Sequence, residues 1–141
     1  MTNDIINGIA VKLHEAFPNV TIYKESIHQG MKEPCFLIMP LESTQDAKLP
    51  NRYWRTYFFD VHYFPKSELQ PKTEMLSVAE TLFFELEHIF CLENPLRGVK
   101  MRYEIMDNVL HFFVNYNLFV KKRTEPIDFM ETLDYEQKTE V

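Results

Sequence analysis

The chain has 141 residues, with 15 Lys and Arg against 21 Asp and Glu, a net charge of −6 and a pI near 5.4. That length suits one domain with a real core, and the acidic balance speaks against a protein that grips nucleic acid through its phosphates. Only three glycines occur, with neither GxGxxG nor GxxxxGK, which excludes a Gly-rich phosphate cradle, and no apolar run approaches the roughly 20 residues that span a bilayer.

Ring content is high, with twelve Phe and seven Tyr. So much ring area predicts a large sheet surface, part of it buried against other subunits. Cys35 and Cys91 are far apart, match no metal-ligand spacing and sit in apolar surroundings, so both read as reduced core thiols. Residues 1–8 are polar and lack a basic start. No signal peptide is expected, and the chain is expected to be cytosolic when made.

The first element reads as a helix. Thr2 or Asn3 suits its N-cap, and Ile5, Ile9, Leu13 and Phe17 recur at helical spacing, widened by Ile6 and Ala10. Pro18 ends it. Residues 20–25 alternate Val20 and Ile22 against Thr21 and Tyr23, a short strand, and His28 to Gly30 form a loop. The apolar run CFLIM at 35–39 fits a strand covered on both faces, near the sheet centre. Residues 42–50 are polar and close on Pro50, so they read as an outward-projecting hairpin loop.

Residues 51–64 predict the third strand. Tyr57, Phe59, Val61 and Tyr63 share one face, and Trp54, Thr56, Phe58, Asp60 and His62 share the other. Residues 67–91 hold the second helix, with Pro71 in its first turn. Its stripe is Met75, Ala79, Leu82, Leu86 and Ile89, flanked by Leu76, Phe83 and Phe90. Pro95 and Gly98 then break the chain.

Residues 97–120 predict one long hairpin turning at Asp107-Asn108, residues that tolerate positive φ. Its apolar face pairs Ile105 with Leu110, Tyr103 with Phe112, Met101 with Val114 and Val99 with Tyr116. Its other face pairs Glu104 with His111, Arg102 with Phe113 and Lys100 with Asn115. A one-residue slip would scramble both faces. From Lys121 the chain turns basic and then acidic, a C-terminal arm ordered on binding. The expected fold is α+β: a single mixed or antiparallel five-stranded sheet with two helices on one face, in the order α-β-β-β-α-β-β. Residues 1–121 form the domain and residues 122–141 an extended or weakly helical arm.

Chemistry is sparse. Asp60 with His62, and Glu104 facing His111, resemble an acid–base cluster, but no activated Ser or Cys joins them and GxSxG is absent. His14, His28 and His88 are scattered, with no HxxxH or CxxC, so no metal or cofactor is expected. Glu85, Glu87 and His88 read as a solvated helix face. The rings Trp54, Phe58, Phe113 and Phe119 stand on the sheet face opposite the apolar stripes. Two helices cover only one side of a sheet, so these rings are expected at a subunit interface.

Several segments carry a family likeness. They are DIINGI at 4–9, GMKEPCF at 30–36, NRY at 51–53, FDVHYFP at 59–65, LRGVKMRYEI at 96–105 and LHFFVNY at 110–116. In that order the chain resembles the tail terminator family of tailed phages, prophages and phage-tail-like bacteriocins. The resemblance implies a hexameric ring that caps the head-proximal end of a tail tube, stops its polymerisation and meets the neck or head. In a contractile particle the ring would also meet the sheath. It implies no catalytic residue and no cofactor, with residence first in the host cytoplasm and then in the particle. In that setting the arm, with Ile127, Phe129, Met130 and Leu133, is expected to join the four rings at the subunit interface. The loop with Glu42, Gln45, Asp46, Lys48, Asn51 and Arg52 is expected to reach the tube. The residues by themselves leave open a head–tail connector or neck completion protein, and a small hydrolase or nuclease using His62 and His111.

Overall fold

The computed structural model describes residues 1–25, 30–122 and 133–136, the last four by their backbone. Helix α1 (Thr2–Ala16) buries Ile5, Ile6, Ile9 and Leu13, the expected stripe. Its N-cap position is Met1 rather than Thr2 or Asn3, and the Met1 carbonyl accepts from the N–H groups of Asp4 and Ile5 at 3.1 Å. Those contacts start the helix without a side-chain cap. At the other end the Phe17 N–H donates to the Leu13 carbonyl at 2.8 Å, and Pro18 prevents a further turn.

Strand β1 (Thr21–Tyr23) is shorter than expected and lies parallel to β2 (Cys35–Leu49). The start of β2 is buried on both faces, from Cys35 to Ile38. It lies second from the sheet edge, however, not at the centre. The strand then continues through the segment expected to be a loop. Residues 43–49 pair with β3 (Arg52–Phe64), Asp46 opposite Trp54 and Gln45 opposite Arg55. The turn is short, with Asn51 at φ 62°. Polarity alone suggested a loop because both faces of this arm are exposed, so no alternation marks it as a strand. Pro40 cannot donate to a ladder, and the register shifts between Pro40 and Ser43.

Helix α2 (Pro71–Glu85) starts at Pro71 as expected and stops earlier than expected. Residues 86–87 turn, and β4 (His88–Cys91) follows with Ile89 and Cys91 buried and His88 and Phe90 exposed. The stripe continued past the helix because Leu82, Leu86 and Ile89 keep helical spacing by coincidence. Two contacts fix the change. The Gly98 N–H donates to the Glu87 carbonyl at 2.6 Å, and the buried Tyr116 hydroxyl donates to the Leu86 carbonyl at 2.7 Å. A Cβ on Gly98 would lie 2.6 Å from that Leu86 oxygen, so the close approach requires glycine. β4 is the strand missing from the expected five.

Strand β5 (Asn94–Met106) begins before Pro95 and Gly98, which lie within it rather than breaking the chain. It is joined to β4 by Leu92 and Glu93, both at positive φ (49° and 72°). Strand β6 (Val109–Lys122) closes the hairpin across Asp107-Asn108, at φ 50° and 62°. Ile105–Leu110, Glu104–His111, Tyr103–Phe112 and Arg102–Phe113 pair as expected. The next three expected pairs do not form. Lys100 takes φ 53°, and a bulge sets Lys100 and Met101 against one residue, Val114. Val99 therefore faces Asn115, and Gly98 faces Tyr116.

Six strands run in the order β1-β2-β3-β6-β5-β4, and a seventh, β7 (Leu133–Glu136), pairs with β6 off that run. Five strands were expected. All neighbours are antiparallel except β1 and β2. Both helices pack on one face, against Tyr57, Phe59, Val61 and Tyr63 of β3 and Leu110, Phe112, Val114 and Tyr116 of β6. Cys35 and Cys91 are buried thiols, as expected. Among the described residues no helix is long and apolar enough to cross a membrane.

Candidate functional site

Period-two alternation along β3 and β6 sends one set of side chains to the helices and the other to the opposite face. That outer face carries all four expected rings. Trp54 stands directly opposite Phe119, and their rings meet edge to face with centroids 4.8 Å apart. Phe58 and Phe113 line a shallow pocket of ≈ 400 Å³ with Leu41, Lys100, Arg102 and Asn115. The Arg102 guanidinium lies 4.1 Å above the Phe113 ring, a cation–π contact, and reaches Glu104 at 3.1 Å. The rings therefore form two clusters, one at the distal end of the face and one in its middle. Between them Asn117 has a buried side-chain oxygen with no partner among the described residues.

Asp60, His62 and His111 form the polar centre of the same face. His62 and His111 are cross-strand partners with ring centroids 4.4 Å apart. His62 Nε2 lies 2.9 Å and His111 Nδ1 3.0 Å from the same oxygen, Asp60 Oδ2. Burial pushes the Asp60 carboxyl up, but hydrogen bonds from His62 and His111, with their charge, hold it below its ordinary value. Glu104, expected beside His111, is its register partner yet bonds Arg102 instead. The expected four-residue cluster is thus a three-residue one.

The residues expected to reach a tube lie on the exposed β2–β3 arm. Glu42, Gln45, Asp46 and Lys48 are on the outer half of β2, Asn51 is in the turn and Arg52 opens β3. Gln45 accepts from Arg55 Nε at 2.6 Å, which ties the two strands of the arm together. Of the arm residues expected at an interface, Ile127, Phe129 and Met130 lie outside the described residues. Leu133 opens β7, with its Cα opposite Lys122. Arg102 and Lys100 were both expected on this face, opposite Phe113 and Asn115. Arg102 keeps its partner, and Lys100 lines the pocket although the bulge takes it out of register with Asn115. Leu41 is the part of the pocket that sequence reasoning missed. Glu87 pairs with Arg97 at 3.5 Å and with His88 at 3.7 Å, on solvent-exposed ground, beyond the helix that was expected to carry it.

A family model described as phage tail terminator protein matches residues 4–128. The chain belongs to the phage tail terminator family. It is accordingly a structural component of a phage tail, associated with the virion and with other tail proteins, in a family that is structural and non-enzymatic. Among curated proteins, none matches the chain significantly.

Proposed function

We propose that the terminator chain acts as one subunit of a closed hexameric ring that caps the head-proximal end of a tail tube and stops its growth. The observation that carries this reading is the sheet face bearing Trp54, Phe58, Phe113 and Phe119, which neither helix covers. Half-buried rings, two of them sharing a pocket with Arg102, are the composition of a protein–protein contact. A head-to-tail contact between unlike faces, repeated with a closing rotation, makes a ring. The Asn117 oxygen between the two ring clusters, buried without a partner among the described residues, supports the same reading, since a docked subunit would supply its donor. The exposed β2–β3 arm is the part able to reach a tube ring, through Glu42, Gln45, Asp46, Lys48, Asn51 and Arg52. The remaining partners in this reading are the neck or head-completion protein and, where the tail contracts, the sheath. The parent particle is an infectious phage or a tail-like bacteriocin. The acidic chain suits a lumen that DNA crosses without adhering.

The test is a gene deletion in the producing strain, complemented by wild type or by Phe58→Glu, with tail lengths measured by negative-stain electron microscopy. Deletion is expected to give overlong or ragged tubes, wild type to restore the length, and Phe58→Glu to fail while its purified chain still folds. Tails of normal length that cannot join heads would replace this reading with a connector. Unchanged particles would end it.

A further inference from the structure

We propose that Asp60, His62 and His111 form a binding site for a divalent transition-metal ion of the zinc class. The site stands on the open face of the sheet, with two ligands from β3 and one from β6. Its ligand atoms, one from each residue, all lie within 4.8 Å of one another. Zinc binds imidazole nitrogen and carboxylate oxygen at about 2.0–2.2 Å, so donors around one tetrahedral ion stand roughly 3.3–3.5 Å apart. The two nitrogens stand 2.9 and 3.0 Å from Asp60 Oδ2, and with the group spanning up to 4.8 Å the two imidazoles must swing toward each other to close on the ion.

Three observations beyond proximity point to a cation. First, the two imidazoles aim different nitrogens, Nε2 of His62 and Nδ1 of His111, at one oxygen. Both rings thus share one carboxylate oxygen, which brings three potential ligand atoms into one cluster. Second, Asp60 is only 7% exposed, and its other oxygen, Oδ1, is buried without a partner among the described residues. A buried carboxylate oxygen left unserved is unfavourable, and a cation held by both oxygens would serve it. Third, the frame is stiff. His62 and His111 are register partners on two interior strands, Phe113 stacks beside His111 at an interplanar angle of 16°, and Phe64 lies beside His62.

Two imidazoles and a carboxylate suit Zn²⁺ and its first-row neighbours rather than Mg²⁺ or Ca²⁺, which prefer all-oxygen shells. Three protein ligands leave a further position on the solvent side of the sheet, for water or for a donor from whatever docks there. The set escapes a search for local metal motifs because two strands far apart in sequence assemble it. Only the Asp60-x-His62 step is local. The inference does not depend on the ring-capping role.

The full-length chain, stripped with chelator and dialysed, is titrated with ZnCl₂ by calorimetry. In parallel, the ring nitrogens of its five histidines are followed by long-range ¹H–¹⁵N correlation spectra. The expected result is one Zn²⁺ per chain at micromolar metal, with the His62 and His111 nitrogens shifting and those of His14, His28 and His88 unmoved. Asp60→Asn and His62→Gln are expected to lose the binding, while His88→Gln keeps it. No saturable binding, or shifts at the other three histidines alone, would overturn the proposal. The wild-type spectra decide the matter even where a variant fails to fold.

Discussion

Glu74 holds the start of α2 against the end of β3. Its carboxylate accepts from the Tyr63 hydroxyl at 2.6 Å and from the N–H groups of Lys66 and Ser67 at 2.8 Å each. Partial burial raises its pKa, but those three donors and the Lys66 charge outweigh burial and hold it below its ordinary value of 4.5. A depressed carboxylate pKa contributes stability that is complete above the unfolded value and is lost as pH falls through the lower folded one. Glu74→Gln is therefore expected to cost about 1–2 kcal/mol at pH 7, the range for hydrogen bonds to a charged group discounted for partial exposure. The gap between wild type and variant should close as the pH drops below 4.5. Urea titrations at pH 7 and at acid pH check this, and a gap of equal size at both would refute it. Nothing local in the sequence announces the contact, because Tyr63 and Glu74 meet only after β3 and α2 have packed.

Elements were legible where side chains repeat with a period and illegible where backbone geometry decides. Tyr57, Phe59, Val61 and Tyr63 alternate cleanly, and Asp107-Asn108 is good turn chemistry, so β3 and the β5–β6 turn could be read directly. The bulge at Lys100 could not, since lysine has no preference for φ 53°. Nor could the β4–β5 turn, where Leu92 and Glu93 adopt positive φ against their steric preference. That second turn predicts a gain. Replacing Leu92 with Asn and Glu93 with Gly supplies the residues that a two-residue turn of this kind favours. Leu92 is 61% exposed, so little packing is lost. The double variant is expected to be about 1 kcal/mol more stable than wild type, measured as a higher denaturation midpoint at unchanged slope. An unchanged or lower midpoint would mean that Leu92 makes a contact worth more than the strain. The outer face was read only in part for the same reason. Its rings lie in strands with clear alternation, whereas the Asp60–His62–His111 group needs the β3–β6 register, which only the assembled sheet supplies.

At the scale of the whole molecule, one sheet separates two environments. The helix side is dry and filled with apolar side chains, and the other side is ringed, charged and open to partners. The packed side gives the subunit its rigidity, and in the proposed reading the open side carries the subunit contacts. Cys35 lies in the packed region, with no exposure at all. Burial first, and then the charge of Glu33, push its thiol up to about 11. At neutral pH very little of the Cys35 thiol is in the reactive thiolate form. On a virion component in air-equilibrated medium, a reactive surface thiol would tether neighbouring particles or oxidise with age. This chain keeps its sulfur out of that chemistry, so its thiols become a clock for breathing of the fold. Maleimide should label the native protein only as fast as the core opens. The rate should rise with urea in step with unfolding and fall when the subunit is held in an assembled particle. Rapid labelling in buffer alone would contradict this and would make ageing by oxidation a property of the particle itself.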